Sequence, residues 1–107
     1  MKRGDIVLVK YPFTDLSSEK LRPALVILPE DDEGDFLLAF ITSITIKKNP
    51  FDISISKNGT GLHKDSILRL KKMMTIHRSL IVGKTGNISK EQLKIIEEIL
   101  SKMLGLK

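Results

Sequence analysis

Residues 21–43 read LRPALVILPEDDEGDFLLAFITS. Pro23 to Leu28 is a continuous apolar run opened by a proline. Proline cannot donate to a sheet ladder, so it suits the first residue of a buried strand. Pro29 to Asp35 is an acidic turn carrying Gly34, and Phe36 to Ser43 is the next strand. Outward from this segment the chain stays strand-like. Asp5 to Tyr11 is rich in Ile and Val, and Phe51-Asp52-Ile53-Ser54-Ile55-Ser56 alternates apolar and polar, which predicts a half-buried strand with Asp52, Ser54 and Ser56 on its wet face. Ser66 to Leu70 and Leu80 to Lys84 are further short strands. Between them lie a polar loop (Pro12 to Leu21), a basic connector (Ile44 to Pro50) and a turn with Asn-Gly chemistry (Lys57 to Gly61). Many short strands with turns between them predict a mainly β domain, a small barrel or sandwich.

The last element is a helix. Ser89 and Gln92 fit a capping box, Gly105 fits a C-terminal cap, and Leu93, Ile96, Leu100, Met103 and Leu104 share one face that Ile95 and Ile99 widen. This helix is expected to lie on the barrel or sheet, with an exposed partner-binding face as the alternative.

The chain has 107 residues, room for one core and one domain spanning 1–107. With no cysteine, a disulfide, an iron–sulfur cluster and a thiolate zinc site are ruled out. With two histidines, His63 and His77, a histidine-rich metal site is not expected either. No segment approaches the ~20 apolar residues of a membrane helix, and Asp5 interrupts any signal-peptide core, so no membrane association and a cytoplasmic location are expected. Lys plus Arg number 18 against 13 Asp plus Glu, a net charge of +5. The sequence pI of about 9.6 makes nucleic acid the first anionic partner to consider.

Three places carry candidate chemistry. Arg22 stands where a polar loop enters an apolar strand. Its guanidinium fork suits a phosphate, and equally it could pair with a loop carboxylate such as Asp15 or Glu19. Thr42 and Ser43 end an apolar strand, where hydroxyls bond a phosphate oxygen or simply cap the strand. Arg69 is a lone cation between apolar residues, and since a buried unpaired arginine is costly it either faces solvent or sits at an anion site. His77 reads as a surface turn residue, and Met73 and Met74 as core. No P-loop, dinucleotide fingerprint, nucleophile elbow or paired-carboxylate metal cluster is present.

Taken together, Arg3-Gly4-Asp5-Ile6-Val7, Lys20-Leu21-Arg22-Pro23-Ala24-Leu25-Val26-Ile27, Ile41-Thr42-Ser43, Asp65-Ser66-Ile67-Leu68-Arg69, Thr75-Ile76 and the final helix resemble the MazF/PemK-type toxins from Arg3 to about Leu104. The resemblance implies an SH3-like β-barrel with a C-terminal helix, forming a homodimer. It implies metal-independent, cofactor-free, sequence-specific cleavage of single-stranded RNA (mRNA) to a 2′,3′-cyclic phosphate and a 5′-hydroxyl. A cognate antitoxin protein would cover the RNA groove. Arg22 and Thr42 map onto the family's catalytic pair, and Arg69 onto an arginine of its plasmid-encoded branch. Where that branch carries a carboxylate general base, this chain has Lys71; Glu19, beside Arg22, is the substitute. Ser18, Lys20, Ser43 and Lys47, in or beside the two loops, are the candidate RNA-binding residues. The alternative is a non-catalytic binding module of the same barrel, since one relative of this fold poisons DNA gyrase by binding alone. Strand 36–41, apolar on both faces, is expected to leave one face for the helix or a second chain.

Overall fold

The structure is a computed structural model and describes residues 1–10, 20–44 and 46–106. The elements follow in the order β1 (Asp5–Lys10), β2 (Leu21–Leu28), β3 (Asp35–Thr42), β4 (Asp52–Ile55), β5 (Ser66–His77), a short 3-10 turn (Arg78–Leu80), β6 (Ile81–Asn87) and α1 (Lys90–Met103). The strands form one antiparallel sheet ordered β4-β5-β3-β2-β1-β6. β2 and β3 are joined by the acidic turn that holds Glu30, Asp31, Asp32 and Glu33.

The uninterrupted apolar runs of β2 and β3 are explained by burial on both faces. Ile6, Leu25, Ile27, Ala39 and Ile41 point to one side, where Ile53, Ile55, Leu68 and Leu70 join them and Leu93, Ile96, Ile99, Leu100 and Met103 of α1 close the layer. Val7, Val9, Ala24, Val26, Phe36 and Leu38 point to the other, against Met74, Ile76, Leu80 and Ile81. Both faces of β3 are therefore covered within the chain. Of the two expected covers for β3, the helix or a second chain, α1 meets one face, and the other is packed by a second core layer that the sequence reading did not foresee.

β5 supplies that second layer by serving both clusters. Its partners along β3 step from Ala39↔Met73 to Ile41↔Leu68, so five residues of β5 span two of β3. This wide bulge switches Leu68 and Leu70 on one face to Met74 and Ile76 on the other. The strand therefore runs to His77 rather than ending at Leu70. Met73 and Met74 are core-packed as expected, and His77 is exposed and caps the 3-10 turn, its Nδ1 accepting from Ser79 N–H at 3.2 Å.

The sheet is not closed by a ladder between its edge strands, β4 and β6. Its two ends meet instead at a glycine seam. A Cβ on Gly61 would overlap the Thr85 carbonyl, and one on Gly86 would overlap the Thr60 carbonyl, so bare backbone is required on both sides. The expected barrel is thus a six-stranded sheet curled until its ends touch.

The Arg3-Gly4-Asp5 opening is architectural. Arg3 donates from Nε to the Ile27 carbonyl at 2.8 Å and pairs with Glu97 of α1, also at 2.8 Å. Gly4 has φ 99° and receives Leu93 against its bare α-carbon. Asp5 is buried, accepts from Lys2 N–H at 2.9 Å and pairs with Lys84 of β6. At α1, Ser89 Oγ accepts from Gln92 N–H at 3.1 Å, but the Gln92 side chain donates to the Ser54 carbonyl instead of back to Ser89, so only half of the capping box forms. Gly105 N–H donates to Lys102 and Leu106 N–H to Ser101, a Schellman ending. Ile95 and Leu104 are exposed and do not widen the buried face.

Candidate active site

The β2–β3 pairing brings the first two candidates together. The register Ala24↔Phe40, Leu25↔Ala39, Val26↔Leu38, extended at the same spacing toward the strand ends, would set Arg22 opposite Thr42. Arg22 also lies opposite Val9 of β1, so its backbone sits in the middle of the sheet while its side chain reaches the loop end. Thr42 ends β3. Its Oγ1 accepts from Ile44 N–H at 3.2 Å, the strand-end capping expected of a hydroxyl there. Serving as acceptor leaves the hydroxyl hydrogen to be donated to a neighbouring oxygen.

Arg22 and Thr42 line two adjoining cavities. The larger, about 590 Å³, has apolar walls from Leu8, Leu21, Pro23, Ile41 and Leu62 and polar groups from Ser43, His63, Ser66 and Thr85. The smaller, about 230 Å³, is lined by Arg22, Phe40, Ile41, Thr42, Arg69 and Lys72. Two arginines, a lysine and a hydroxyl thus share one solvent-open hollow. Such a set can hold an anion through charge-assisted hydrogen bonds.

Arg69 lines the hollow and is also ion-paired, to a partner the sequence did not show. Its side chain is 14% exposed and its Nη1 donates to Asp52 Oδ2, while Nη2 donates to the Ile46 carbonyl at 3.3 Å. Asp52 and Arg69 are register partners between β4 and β5. Asp52 is buried rather than on a wet face. The alternation of 51–56 misplaces it because an ion pair, not solvent, satisfies the carboxylate. Its Oδ2 also accepts Lys48 N–H at 2.7 Å, and Oδ1 is buried without a hydrogen-bond partner. Arg69 is therefore held from behind while it fronts the cavity.

Of the other candidates, Ser43 lines the larger cavity. Lys20 and Lys47 are exposed and line neither. Ser18 and Glu19, and most of the first loop, lie outside the described residues. Lys72, Asp52, Leu62 and His63 were missed by sequence reasoning. Among the described residues no three His, Cys, Asp or Glu side chains group to hold a metal, and no helix is long and apolar enough to cross a membrane.

A basic, mainly β chain whose curled sheet gathers two arginines, a lysine and a threonine around one hollow defines a small barrel-like β protein with a candidate anion site. The comparisons make the class specific. The chain belongs to the family of PemK-like, MazF-like toxins of type II toxin–antitoxin systems, whose model matches residues 2–104. It is 27% identical to Endoribonuclease MazF of Staphylococcus saprophyticus over 113 aligned positions covering 99% of this chain and 92% of that protein. Among solved structures it is similar in fold to MazE-MazF from Deinococcus radiodurans, with TM-score 0.79, 19% identity and coverage of 100% and 97% of the two chains. It is also similar in fold to an endoribonuclease in complex with its cognate antitoxin from a mycobacterial species, with TM-score 0.78, 14% identity and coverage of 100% and 97%.

Proposed function

We propose that this toxin is an endoribonuclease that cleaves single-stranded RNA at the hollow between Arg22, Thr42 and Arg69. The observation that carries the reading is their convergence: three residues 20 or more positions apart in sequence line one cavity of about 230 Å³. The S. saprophyticus relative, named an endoribonuclease, supports the reaction class.

In this reading the substrate's 2′-hydroxyl attacks the adjacent phosphorus. The 2′-O–P bond forms, the P–O5′ bond breaks, the 2′-hydroxyl proton passes to a base and the O5′ leaving group takes up a proton. The products are a 2′,3′-cyclic phosphate and a 5′-hydroxyl, with no water and no metal in the step. Arg22 grips the phosphate bidentately, Thr42 donates to a phosphate oxygen or orients the 2′-hydroxyl, and Arg69 neutralises the charge that builds on the phosphorane and leaving group. Preorganised charge of this kind supplies several kcal/mol. Glu19 remains the proposed base. Bases read from a single strand must be splayed, because an A-form duplex hides its major groove, and Ser18, Lys20, Ser43 and Lys47 are the proposed contacts. The same reading includes a homodimer, a cytoplasmic location and a cognate antitoxin whose acidic segment competes for the basic hollow.

The test is incubation of the purified protein with a long RNA in EDTA. Discrete cuts ending in 2′,3′-cyclic phosphate are expected. Arg22→Ala should abolish most cleavage with the fold intact, and Arg22→Lys should also be poor because a point charge does not copy a bidentate fork. Intact RNA with folded wild-type protein, or near-native cutting by Arg22→Ala, overturns the assignment.

A further inference from the structure

Beyond the hollow, the β5 bulge builds a second basic cavity. It has a volume of about 280 Å³ and is lined by Lys48, Asn49, Asp52, Arg69, Lys71 and Lys72. Adjacent residues in a regular strand face opposite sides. The five-against-two register between Leu68 and Met73 breaks that rule, and Lys71 and Lys72 are both exposed. Asp52 is already engaged by Arg69, and among the described residues no carboxylate forms a salt bridge with Lys48, Lys71 or Lys72 around the opening. Arg69 and Lys72 line both this cavity and the Arg22/Thr42 hollow, so the two adjoin.

We propose that the Lys48/Lys71/Lys72 cavity is a backbone subsite that takes a second phosphate of the same RNA strand, next to the one at Arg22. This rests on the endoribonuclease reading above. The lining favours a phosphate over an acidic peptide: it contains no apolar side chain to anchor a peptide, only flexible cations and one asparagine beside the Asp52–Arg69 pair. Lysine is a compact point charge that binds phosphate without demanding a fixed geometry, which suits a group that positions the strand rather than reacting with it.

The test measures binding alone, so that it does not depend on cleavage. A labelled 2′-O-methyl RNA oligonucleotide of mixed sequence, which cannot be cut, is titrated with wild type, Lys71→Ala/Lys72→Ala and a control Lys94→Ala/Lys102→Ala on the exposed side of α1, each at several salt concentrations. Circular dichroism confirms that all three are folded. The expected result is a Kd about tenfold higher at low salt for the bulge variant. Its log Kd against log salt slope should be shallower by about 0.7 for each phosphate that is no longer neutralised, with the control unchanged. Equal losses in bulge and control variants, or no loss in either, overturn the subsite whether or not the wild type cleaves RNA. A polyglutamate peptide run in parallel gives the remaining outcome: loss of peptide affinity with RNA affinity retained assigns the cavity to a protein partner and also overturns the proposal. Wild type that binds the oligonucleotide through the bulge but leaves RNA uncut in EDTA fails the nuclease reading and not the subsite.

Discussion

Replacing Asp52 with alanine removes one half of an ion pair whose other half cannot escape to bulk water. Asp52 is fully buried at its side chain and Arg69 is 14% exposed. Removing one partner of a buried pair costs roughly 3–5 kcal/mol, because an uncompensated charge stays behind. Arg69 fronts a solvent-open hollow and can recover some hydration, which points to the lower end, about 3 kcal/mol. Lys48, Lys71 and Lys72 around it work against that recovery. Small domains have about 5–15 kcal/mol in total, and 1 kcal/mol moves the midpoint of a domain near this size by roughly 4–8 °C. Asp52→Ala should therefore melt more than 10 °C below wild type. Urea unfolding followed by far-ultraviolet circular dichroism suits a chain with no tryptophan. The double variant Asp52→Leu/Arg69→Met should regain most of the loss, since apolar replacements of both partners are often neutral. A loss below about 0.5 kcal/mol for Asp52→Ala, or additive effects in the Asp52/Arg69 double-mutant cycle, would refute the claim that the pair is buried and mutually dependent.

Gly86→Ala drives a methyl group into the Thr60 carbonyl, and should cost at least the ~1–3 kcal/mol of core overpacking. At Gly59, which has open space and only a positive φ of 75°, alanine should cost only the roughly 1–2 kcal/mol of left-handed strain; a loss at Gly86 no larger than that at Gly59 in urea melts would contradict the seam. Burial alone would raise the Asp5 pKa, but the Lys2 N–H bond and the Lys84 ammonium outweigh it and hold the carboxyl below its usual value. Its folded pKa being depressed, its contribution is full above the unfolded aspartate value of about 3.9 and fades as pH falls through the folded one. The stability gap between wild type and Asp5→Asn should therefore be constant at neutral pH and close in acid, and a gap independent of pH from 7 to 2 would contradict the assignment. Ser89→Ala should lose about 1 kcal/mol from the cap of α1, and a Tm unchanged within 1 °C would argue against that hydrogen bond's contribution.

What the chain discloses before folding depends on how local the cause is. β2 and β3 are legible because burial on both faces demands uninterrupted apolar residues, and the ends of α1 because Ser89 and Gly105 act within one turn of themselves. Arg22 and Thr42 are legible singly as residues at strand ends. Their opposition follows once the acidic turn makes β2 and β3 antiparallel neighbours. The second half of β5 is hidden because Arg69-Leu70-Lys71-Lys72-Met73 has neither period, the mark of a bulge whose cause is the demand of two separate cores. Asp52 is hidden for a different reason: alternation assigns a carboxylate to water, and only its partner 17 residues away shows that charge can be satisfied inside.

The turn between β2 and β3 has a consequence for how the molecule meets its substrate. It puts Glu30, Asp31, Asp32 and Glu33 at one end of the hairpin, while Arg22 stands at the other, about 23 Å away along an eight-residue strand. Arg78 offsets one of these carboxylates by pairing with Glu30 at 3.2 Å, and the remaining acidic residues make the protein a compass needle as well as a cation. At low ionic strength a long polyanion exerts a torque that turns the arginine pole forward and the acidic pole outward before the two molecules touch, so fewer collisions arrive backwards. At 0.15 M salt the screening length of about 8 Å is far shorter than the needle, and each pole then feels only what lies beside it. Rotational guidance should thus fade with salt well before local grip does, and capture rates should fall more steeply than residence times.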